Sequence, residues 1–323
     1  MSNSPNYPFV GMISLLHKNK LWYFVELEKI LRLSRNEFLA QIKIIQQLFP
    51  EQIQVNSDSI KLLQPIALFT QDDFREFNQT HRLQVEVVDT CLSTNNLLIN
   101  RVRNNSKIVN YQTIVANEQL EGRGRQGHHW KSSIGNSLIL SLAWPVSFLQ
   151  DVQTIPLVIA VAIGRALQSF NIKAQIKWPN DIVIGYQKLA GILVESIKYQ
   201  TNKILIIGIG MNFNSIDTDG DDYISVLQLN PYVNPIQLLT ILLDEVERAL
   251  VVYLENGFKS FQNEFNQWHR DIGKIVRITF KKEIILEGIV QEVASDGTLT
   301  IVDLKNQRHQ VATSDFSLQV LNT

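Results

Sequence analysis

The sequence predicts an α+β chain whose central part is built on a mixed β-sheet, preceded by a small helical unit and followed by a small β-barrel. Three observations lead there. The chain has 323 residues, more than one hydrophobic core usually organises. Apolar residues recur at helical spacing before about residue 65. Further along, several strand patterns follow one another without intervening helices, which favours a mixed sheet over a doubly wound parallel one.

The front segment, from Phe9 to Leu63, predicts three short helices and a hairpin. Ser34 precedes Glu37 as a capping box that opens the third helix. A polar turn at residues 56–58 separates apolar positions between Val55 and Leu63, which indicates a small wing. Helix, turn, helix and wing is a layout common among DNA-reading proteins.

The central segment begins after a connector, which contains Pro65 and the acidic, Phe-dotted stretch Thr70 to Phe77. A new apolar pattern starts at Val85 to Val88, and from there to about His269 strands and helices are mixed. The predicted strands are Thr113–Glu118, Ser137–Trp144, Ala174–Gly185, Leu189–Tyr199 and Ile204–Phe213, and the predicted helices are Thr94–Arg103, Ile155–Phe170, Pro235–Leu254 and Phe258–His269.

The last segment, from Gly273 to Val320, alternates apolar and polar residues and has turn signals at Gly288 and at Asp296-Gly297. This pattern predicts a β-barrel of about 50 residues, close to the smallest size at which a domain folds alone. The expected boundaries are therefore 1–65, 66–271 and 272–323.

Composition limits the classes of function. Lys and Arg number 30 against 31 Asp and Glu, so no whole-molecule charge attracts nucleic acid or membranes. Cys91 is the only cysteine, which excludes an intrachain disulfide and a zinc site built on cysteines. Residues 1–10 show no secretory signal, and the most apolar stretch, Ile155 to Ile163, is far shorter than the roughly 20 residues that span a bilayer. We expect a soluble cytoplasmic protein.

The sharpest motif is Gly122-Arg123-Gly124-Arg125-Gln126-Gly127, followed by His128, His129 and Trp130. Glycines let backbone N–H groups approach an anion closely, and two guanidinium groups on one flexible loop supply bidentate partners for phosphate or carboxylate. The motif predicts an anion-gripping loop. The alternative is a solvated surface loop whose arginines bind nothing.

A second motif is Lys177-Trp178-Pro179-Asn180-Asp181, followed by a turn at residues 185–187 and by residues 188–195, KLAGILVE. Pro179 within a strand pattern indicates an edge, a bulge or a bend that lines a ligand. Lys177 and Lys188 flank one hairpin, so they either face one pocket or are both solvated. Asp181 either binds a metal or caps a turn.

Two weaker motifs complete the set. Ser93-Thr94-Asn95 stands at a predicted helix start, where its side chains suit either an N-cap or a ligand, and capping is favoured. The glycines in the run from Gly208 to Asn212 permit close approach of a ligand or of a neighbouring strand.

Taken together and in this order, STN, GRGRQG with its tryptophan, KWPND and KLAGILVE resemble the bifunctional biotin–protein ligase and biotin operon repressor family. The resemblance covers nearly the whole chain. It implies an N-terminal winged helix-turn-helix, a catalytic domain, and a C-terminal SH3-like barrel.

The resemblance also implies roles for individual residues. The residues implied for biotin binding are Ser93, Thr94, Asn95, Gln119, Arg123, Gly124, Arg125 and Lys188. Those implied for the nucleotide are Trp130, Asn180, Gly191, Gly208 and Asn212. Those implied for catalysis are Arg123, Arg125, Lys188, Lys177 and Asp181, with Asp181 also a candidate ligand for Mg²⁺.

In this family a carboxylate of biotin is first activated with ATP and Mg²⁺, giving biotinyl-5′-AMP, and biotin then passes to a lysine of a biotin carboxyl carrier protein. A homodimer is implied as well. Two alternatives are a biotin-sensing repressor without ligase activity and a lipoate–protein ligase; the KWPND and GRGRQG combination favours biotin.

Two regions depart from the family pattern. The DNA-reading segment would be Phe24 to Lys43, yet Phe9 to Leu63 holds seven basic and five acidic residues, a net charge of about +2 and low for phosphate binding. The reading helix would present Glu37, Ala40, Gln41 and Ile44, so a structural or interaction module is favoured over sequence-specific repression. At the far end, residues 317–319, Ser-Leu-Gln, lack the arginine that some relatives place near ATP, which argues against a nucleotide contact from the barrel.

Overall fold

The computed structural model describes residues 9–104, 111–147, 152–199, 202–214, 222–280, 283–312 and 316–321. Most of the stretch considered for a secretory signal, residues 1–8, lies outside these ranges. The front unit contains the three predicted helices and the predicted hairpin, to which an unpredicted strand, β1, adds to give a three-stranded antiparallel sheet of order β1-β3-β2. In chain order they are α1 (Val10–Lys18), β1 (Leu21–Tyr23), α2 (Phe24–Leu31), α3 (Arg35–Leu48), β2 (Ile53–Val55) and β3 (Ser59–Leu62).

The capping box at the start of α3 is confirmed. The Ser34 N–H donates to Glu37 Oε2 at 2.9 Å, and the Glu37 N–H donates to Ser34 Oγ at 3.4 Å. One expectation for this helix is wrong: Gln41 is 6% exposed and belongs to the buried face. Ala40 and Ile44 are exposed, whereas the carboxylate of Glu37 is bound to its own helix cap.

The front unit has its own hydrophobic cluster, which extends from Phe9 to Leu68. The loop of the central unit that contains Ile134 and Gly135 contacts this cluster directly. Ile134 packs against it, and a Cβ added at Gly135, where φ is +74°, would lie 2.6 Å from the Phe49 ring. The Ala67 N–H donates to the Gly135 carbonyl at 2.8 Å. The front and central units are therefore joined by close apolar packing.

The central sheet has seven strands in the order β4-β5-β8-β12-β11-β10-β9; β4 and β5 are parallel and every other neighbouring pair is antiparallel, so the predicted mixed sheet is confirmed. The elements of this part are α4 (Arg75–Thr80), β4 (Gln84–Cys91), α5 (Thr94–Arg103), β5 (Gln112–Gln119), β6 (Gly122–Arg123), β7 (His129–Trp130), β8 (Ser137–Ser147), α6 (Ile155–Gln168), β9 (Gln175–Lys177), β10 (Asp181–Ile184), β11 (Gln187–Tyr199), β12 (Asn202–Asn212), α7 (Val226–Leu229), α8 (Pro235–Asn256) and α9 (Gln262–Trp268).

One predicted strand is two. The run from 174 to 185 is divided into β9 and β10 at a bend that contains a cis peptide between Trp178 and Pro179. The physical reason is that proline cannot donate to the ladder. The predicted helix from 258 to 269 likewise begins as a single 3₁₀ turn, Phe258–Ser260, before α9.

Helices cover the two faces of the central sheet. On one face α5 packs Leu98 and Val102 against Ala143 and Ile206. On the other face α6 and α8 join the main cluster, and residues 155–163 are completely buried except for Pro156. This explains why that stretch is so apolar: it is an internal helix. None of the helices in the described ranges is long and apolar enough to cross a membrane.

The C-terminal strands form one antiparallel sheet of order β16-β15-β14-β13-β17. The strands are β13 (Ile275–Phe280), β14 (Glu283–Val293), β15 (Leu299–Asp303), β16 (Arg308–Val311) and β17 (Phe316–Val320). Within the described residues no pairing joins β16 to β17, so this part is an open sheet and the expected closed barrel is not confirmed. Val276, Val290 and Ile301 bury its inner face against the main cluster.

Candidate functional site

A cavity of about 430 Å³ opens on the α5 face of the central sheet. Its walls come from the start of α5, the hairpin β6–β7, the hairpin β10–β11 and strand β12. The structure brings the sequence-predicted site residues together here, since all of them outside the front unit line this cavity: Ser93, Thr94, Asn95, Gln119, Arg123, Gly124, Arg125, Trp130, Lys177, Asn180, Asp181, Lys188, Gly191, Gly208 and Asn212. The Phe24 to Lys43 segment does not contribute to it.

The floor of the cavity is a buried polar network at the N-terminus of α5. The backbone N–H of Thr94 donates to Gln119 Oε1 at 2.8 Å, and the Thr94 hydroxyl lies 3.2 Å from the same oxygen. Ser141, fully buried on β8, lies 2.6 Å from Thr94 Oγ1 and donates to Asn95 Oδ1 at 2.5 Å. Ser93 is the N-cap and accepts from the Asn96 N–H. The floor therefore presents fixed donors and acceptors in a dry environment.

Three glycines on β11 and β12 create the space above the sheet. Gly191 and Gly210 are register partners, and a Cβ at Gly210 would lie 2.4 Å from Cε2 of the Trp130 indole. A Cβ at Gly208 would lie 2.4 Å from Asn95 Oδ1. The Trp130 ring thus lies flat on a glycine shelf, and among the described residues its Nε1, which is buried, has no hydrogen-bond partner.

The GRGRQG motif is a short hairpin rather than an unstructured loop. Strand β6 pairs with β7, the Gly124 N–H donates to the His128 carbonyl at 2.7 Å, and residues 125–127 make one 3₁₀ turn. Gly122 is required there, since a Cβ would lie 2.3 Å from the Trp130 carbonyl oxygen. Arg125 extends from the turn and donates to Asn180 Oδ1 at 3.1 Å.

The lysines of the second motif line the cavity from β9 and β11, the strands on either side of β10. Lys188 Nζ lies 2.8 Å from Asp181 Oδ1 and 5.7 Å from the centre of the Trp130 ring, and Lys177 is the register partner of Asp181 on β9. Asn212 fixes the backbone beneath Lys188 by donating to its carbonyl at 3.0 Å. Asp181 is thus held by a lysine and does not cap a turn.

Several cavity residues were not predicted as site residues. Ser141 and Glu195 complete the floor network, and Tyr223, Phe316 and Leu318 line the cavity itself. Glu195 stands in KLAGILVE, and its period-two spacing from Gly191 is the signal that could have found it. Phe316 and Leu318 come from β17, so the last strand reaches the cavity although it lacks an arginine.

Among the described residues outside this cavity, the lone thiol and the possible metal ligands give no sign of a second site. Burial raises the pKa of the Cys91 thiol to about 11, so the thiol stays protonated and is a poor nucleophile. Within the ranges that the structure describes, no three His, Cys, Asp or Glu side chains are grouped so that they could hold a metal ion.

The model of the Biotin/lipoate A/B protein ligase family matches residues 88–212, the segment that supplies most of the cavity lining. A bifunctional ligase/repressor BirA of Salmonella typhimurium is 26% identical over 302 residues, which cover 90% of this chain and 91% of that protein. The BirA of Bacillus subtilis is 38% identical over 113 residues, 34% of each chain. These similarities support the biotin protein ligase family, with the family model matching the central part of the chain.

Comparison of folds agrees with this assignment. A biotin protein ligase from Aquifex aeolicus, solved in complex with biotin and ATP, superposes with a TM-score of 0.63 and 22% identity. The match covers 73% of this chain and 99% of that one. The mixed α/β architecture of the central part is therefore that of a biotin protein ligase.

Proposed function

We propose that the protein is a biotin–protein ligase, which makes biotinyl-5′-AMP from biotin and ATP and transfers biotin to a lysine of a biotin carboxyl carrier protein. The observation that carries the proposal is the composition of one cavity. It joins a buried polar floor to a wall that carries Lys177, Lys188 and Arg125. A ligand with a neutral polar head and an anionic tail next to a nucleotide suits such a cavity.

We assign biotin to the floor. Its ureido ring offers one carbonyl and two N–H groups, which match the amide and hydroxyl groups of Ser93, Thr94, Asn95 and Gln119. The network supports this assignment because the Thr94–Gln119 contact is made inside the protein at 2.8 Å and needs no rearrangement to stay ordered.

We assign the reacting carboxylate and the α-phosphate to Lys188 and to the hairpin that carries Arg123, Gly124 and Arg125, with Arg125 and Lys188 as the cations nearest the phosphate. A carboxylate oxygen of biotin attacks the α-phosphorus of ATP, the bond to pyrophosphate breaks, and a mixed anhydride with AMP remains. The carrier amine then attacks the acyl carbon, and AMP leaves. Cations beside the α-phosphate stabilise the charge that accumulates there in the first step.

We assign the nucleotide to the side of the Trp130 indole that faces away from the glycine shelf, beside the wall that contains Asn180 and Asn212. Gly191 and Gly208 support this site because they let Trp130 and Asn95 lie close to the sheet. The indole offers a stacking surface for adenine, and its buried Nε1–H offers a donor. Lys177 lies at the end of β9 where it can contact the departing pyrophosphate.

Magnesium is part of the proposal. Mg²⁺ commonly takes one or two carboxylates together with substrate phosphates and several waters. Asp181 lines the cavity and can supply such a carboxylate, but its Oδ1 lies 2.8 Å from Lys188 Nζ. Holding the metal therefore requires Lys188 to turn to an anionic ligand of its own. Bound there, Mg²⁺ would neutralise phosphate charge.

The direct test is biotin-dependent exchange of labelled pyrophosphate into ATP, followed by mass analysis of a carrier domain incubated with the protein, ATP, Mg²⁺ and biotin. We expect exchange that lipoate neither supports nor inhibits at equal concentration. Absence of exchange would refute the ligase and leave a biotin-sensing repressor as the alternative.

The front unit supports a second candidate, a biotin-responsive repressor that uses the Phe24 to Lys43 segment of a winged helix-turn-helix. The observation in its favour is the three-helix and hairpin arrangement, together with relatives named bifunctional ligase/repressor. Selection from a random duplex pool, with biotinyl-AMP present, tests it: enrichment of one sequence supports repression, and the absence of any enriched sequence refutes it.

We further propose units at 1–65, 66–271 and 272–323 (the last SH3-like), a homodimer, and a cytoplasmic location.

A further inference from the structure

Arg123, on the hairpin β6–β7, is bound to a carboxylate of the protein itself. One of its terminal nitrogens lies 2.8 and 3.0 Å from the two oxygens of Glu195 on β11. The two side chains are 41% and 28% exposed. An arginine held in this way ties the hairpin to strand β11.

The same carboxylate reaches the floor of the cavity. The Asn95 amide donates to Glu195 Oε2 at 2.8 Å, and this fixes the orientation of the amide, because its Nδ2 must face the carboxylate and its Oδ1 must face Ser141. The Ser141 hydroxyl is then directed at Asn95 Oδ1, 2.5 Å away, with Thr94 Oγ1 lying 2.6 Å from the same hydroxyl. One charged group thereby orients the Asn95 amide and the Ser141 hydroxyl of the floor.

The local backbone is shaped around this arrangement. Gly208 lies under Asn95, where any Cβ would lie 2.4 Å from Oδ1, so the asparagine is seated closely against β12. A part-exposed ion pair alone contributes little to stability because water and salt screen it. The Glu195 carboxylate influences the floor because it is hydrogen-bonded to a buried network.

We propose that Glu195 is a positioning residue that ties the hairpin β6–β7 to the floor through Arg123 and Asn95, and that Arg123 acts as the anchor of the hairpin rather than as a cation on the α-phosphate. The charge directed at phosphate then comes from other cations of the cavity, such as Arg125 and Lys188. The catalytic consequence rests on the proposed ligase function, whereas the anchoring of the hairpin does not.

The test is a double-mutant cycle with Glu195→Gln, Arg123→Gln and the double variant. Two readouts are measured: trypsin cleavage at Arg125 in the ligand-free protein, and the rates of pyrophosphate exchange and biotinyl-AMP release. For an anchor we expect the two single changes to speed cleavage and release by a similar factor, on the order of tenfold, and the double change to add no more than about twofold, since coupled partners are non-additive.

Glu195→Gln carries a second signature. Loss of the charge frees the Asn95 amide to flip, so we expect the KM for biotin to rise about tenfold while the KM for ATP changes less than about twofold. The matched control is Glu86→Gln, which removes a carboxylate bound by Arg101 at 2.6 and 2.7 Å on the far edge of the sheet. We expect this control to behave as wild type in both readouts.

Each result decides one part. The proposal is overturned if Arg123→Gln lowers pyrophosphate exchange at least about a hundredfold while Glu195→Gln does not, and if the effects of the two changes add in the double variant. That outcome would mean that Arg123 acts on the phosphate. Wild-type protection from trypsin in Glu195→Gln overturns the anchor as well. Absence of exchange in the wild-type protein refutes the ligase alone, because the proteolysis comparison still decides the anchor. Should Glu195→Gln fold poorly, Glu195→Asp keeps the charge, shortens the reach and should give intermediate cleavage.

Discussion

Gly210 lies on the glycine shelf directly beneath the Trp130 indole, and Gly210→Ala tests whether that contact shapes the nucleotide side of the cavity. The new methyl group would lie 2.4, 2.7 and 2.8 Å from three atoms of the indole. Carbon atoms in contact prefer about 3.5–4.0 Å, so the ring must move by about 1 Å or more. The backbone is no obstacle, because Gly210 is not among the positive-φ residues.

The energetic effect combines two contributions. Overpacking of this kind costs about 1–3 kcal/mol. Restricting the unfolded chain by Gly→Ala returns about 0.4–1 kcal/mol. We therefore expect a net loss of about 0.5–2 kcal/mol in the free energy of unfolding, measured by urea denaturation. If adenine stacks on Trp130, moving the ring should also raise the KM for ATP about tenfold, within the range of a lost stacking contact, with little change in the KM for biotin.

Two controls make the prediction specific. In Gly11→Ala the nearest atom to the new Cβ outside its own helix would be Leu31 Cδ2 at 3.6 Å, so we expect no packing loss. In a Trp130→Ala background the obstructing ring is gone, and Gly210→Ala should then cost nothing. A stability loss of the same size with and without Trp130 would refute the reasoning, because the loss could not come from the indole.

The remaining predictions concern the cavity cation, the floor and pH. Lys188→Ala should lower pyrophosphate exchange about 10²–10³-fold, as for a lost donor at a developing charge, while Lys198→Ala on the same strand should not. Ser141→Ala should raise the KM for biotin about tenfold and leave the KM for ATP unchanged, because it leaves Asn95 Oδ1 without its donor. Burial lowers the pKa of His269 from 6.5 to about 4. Between these two pH values the unfolded chain binds a proton at this histidine and the folded protein does not. The free energy of unfolding should therefore fall as the pH drops from 6.5 to 4, by up to about 1.4 kcal/mol per pH unit. His269→Gln should reduce the change in the urea midpoint between pH 7 and 5, and His128→Gln on the exposed hairpin should leave that change as it is in the wild-type protein.

Each of these has a contrary result. Equal losses in the two lysine variants would mean that exchange responds to charge in general and not to the cavity amine. A parallel rise in both KM values for Ser141→Ala would indicate global loosening of the sheet. An unaltered pH dependence in the His269 variant would place the acid sensitivity elsewhere.

Much of the fold follows from patterns that are local in sequence. The helices α5, α6 and α8 were predicted because their apolar spacing and their starting residues are local signals. The division between β9 and β10 is not predicted, although Pro179 marks the place. A proline removes one hydrogen-bond donor from the ladder, and the sequence pattern alone does not show whether the result is one bent strand or two strands. Gln41 was placed on the wrong face because α3 mixes apolar and polar residues around much of its circumference.

The site shows the same division. Motif residues such as Lys188 and Trp130 could be named because each motif is contiguous and resembles a known family. Glu195 and Ser141 could not, because their partners lie far away in sequence: Arg123 is 72 residues from Glu195, and Asn95 is 46 residues from Ser141. Such contacts depend on the strand order and register of the sheet, which local patterns leave undetermined.

The packing of Gly135 against Phe49 has a practical meaning for anyone who shortens this chain. Removal of residues 1–65 would expose Ile134 and Ile66 to solvent, because the front unit now packs against both side chains. Such a fragment would have an exposed apolar patch a few residues beyond Trp130. If it self-associates or has an altered turnover, the cause would be this newly exposed surface and not the loss of a regulatory role.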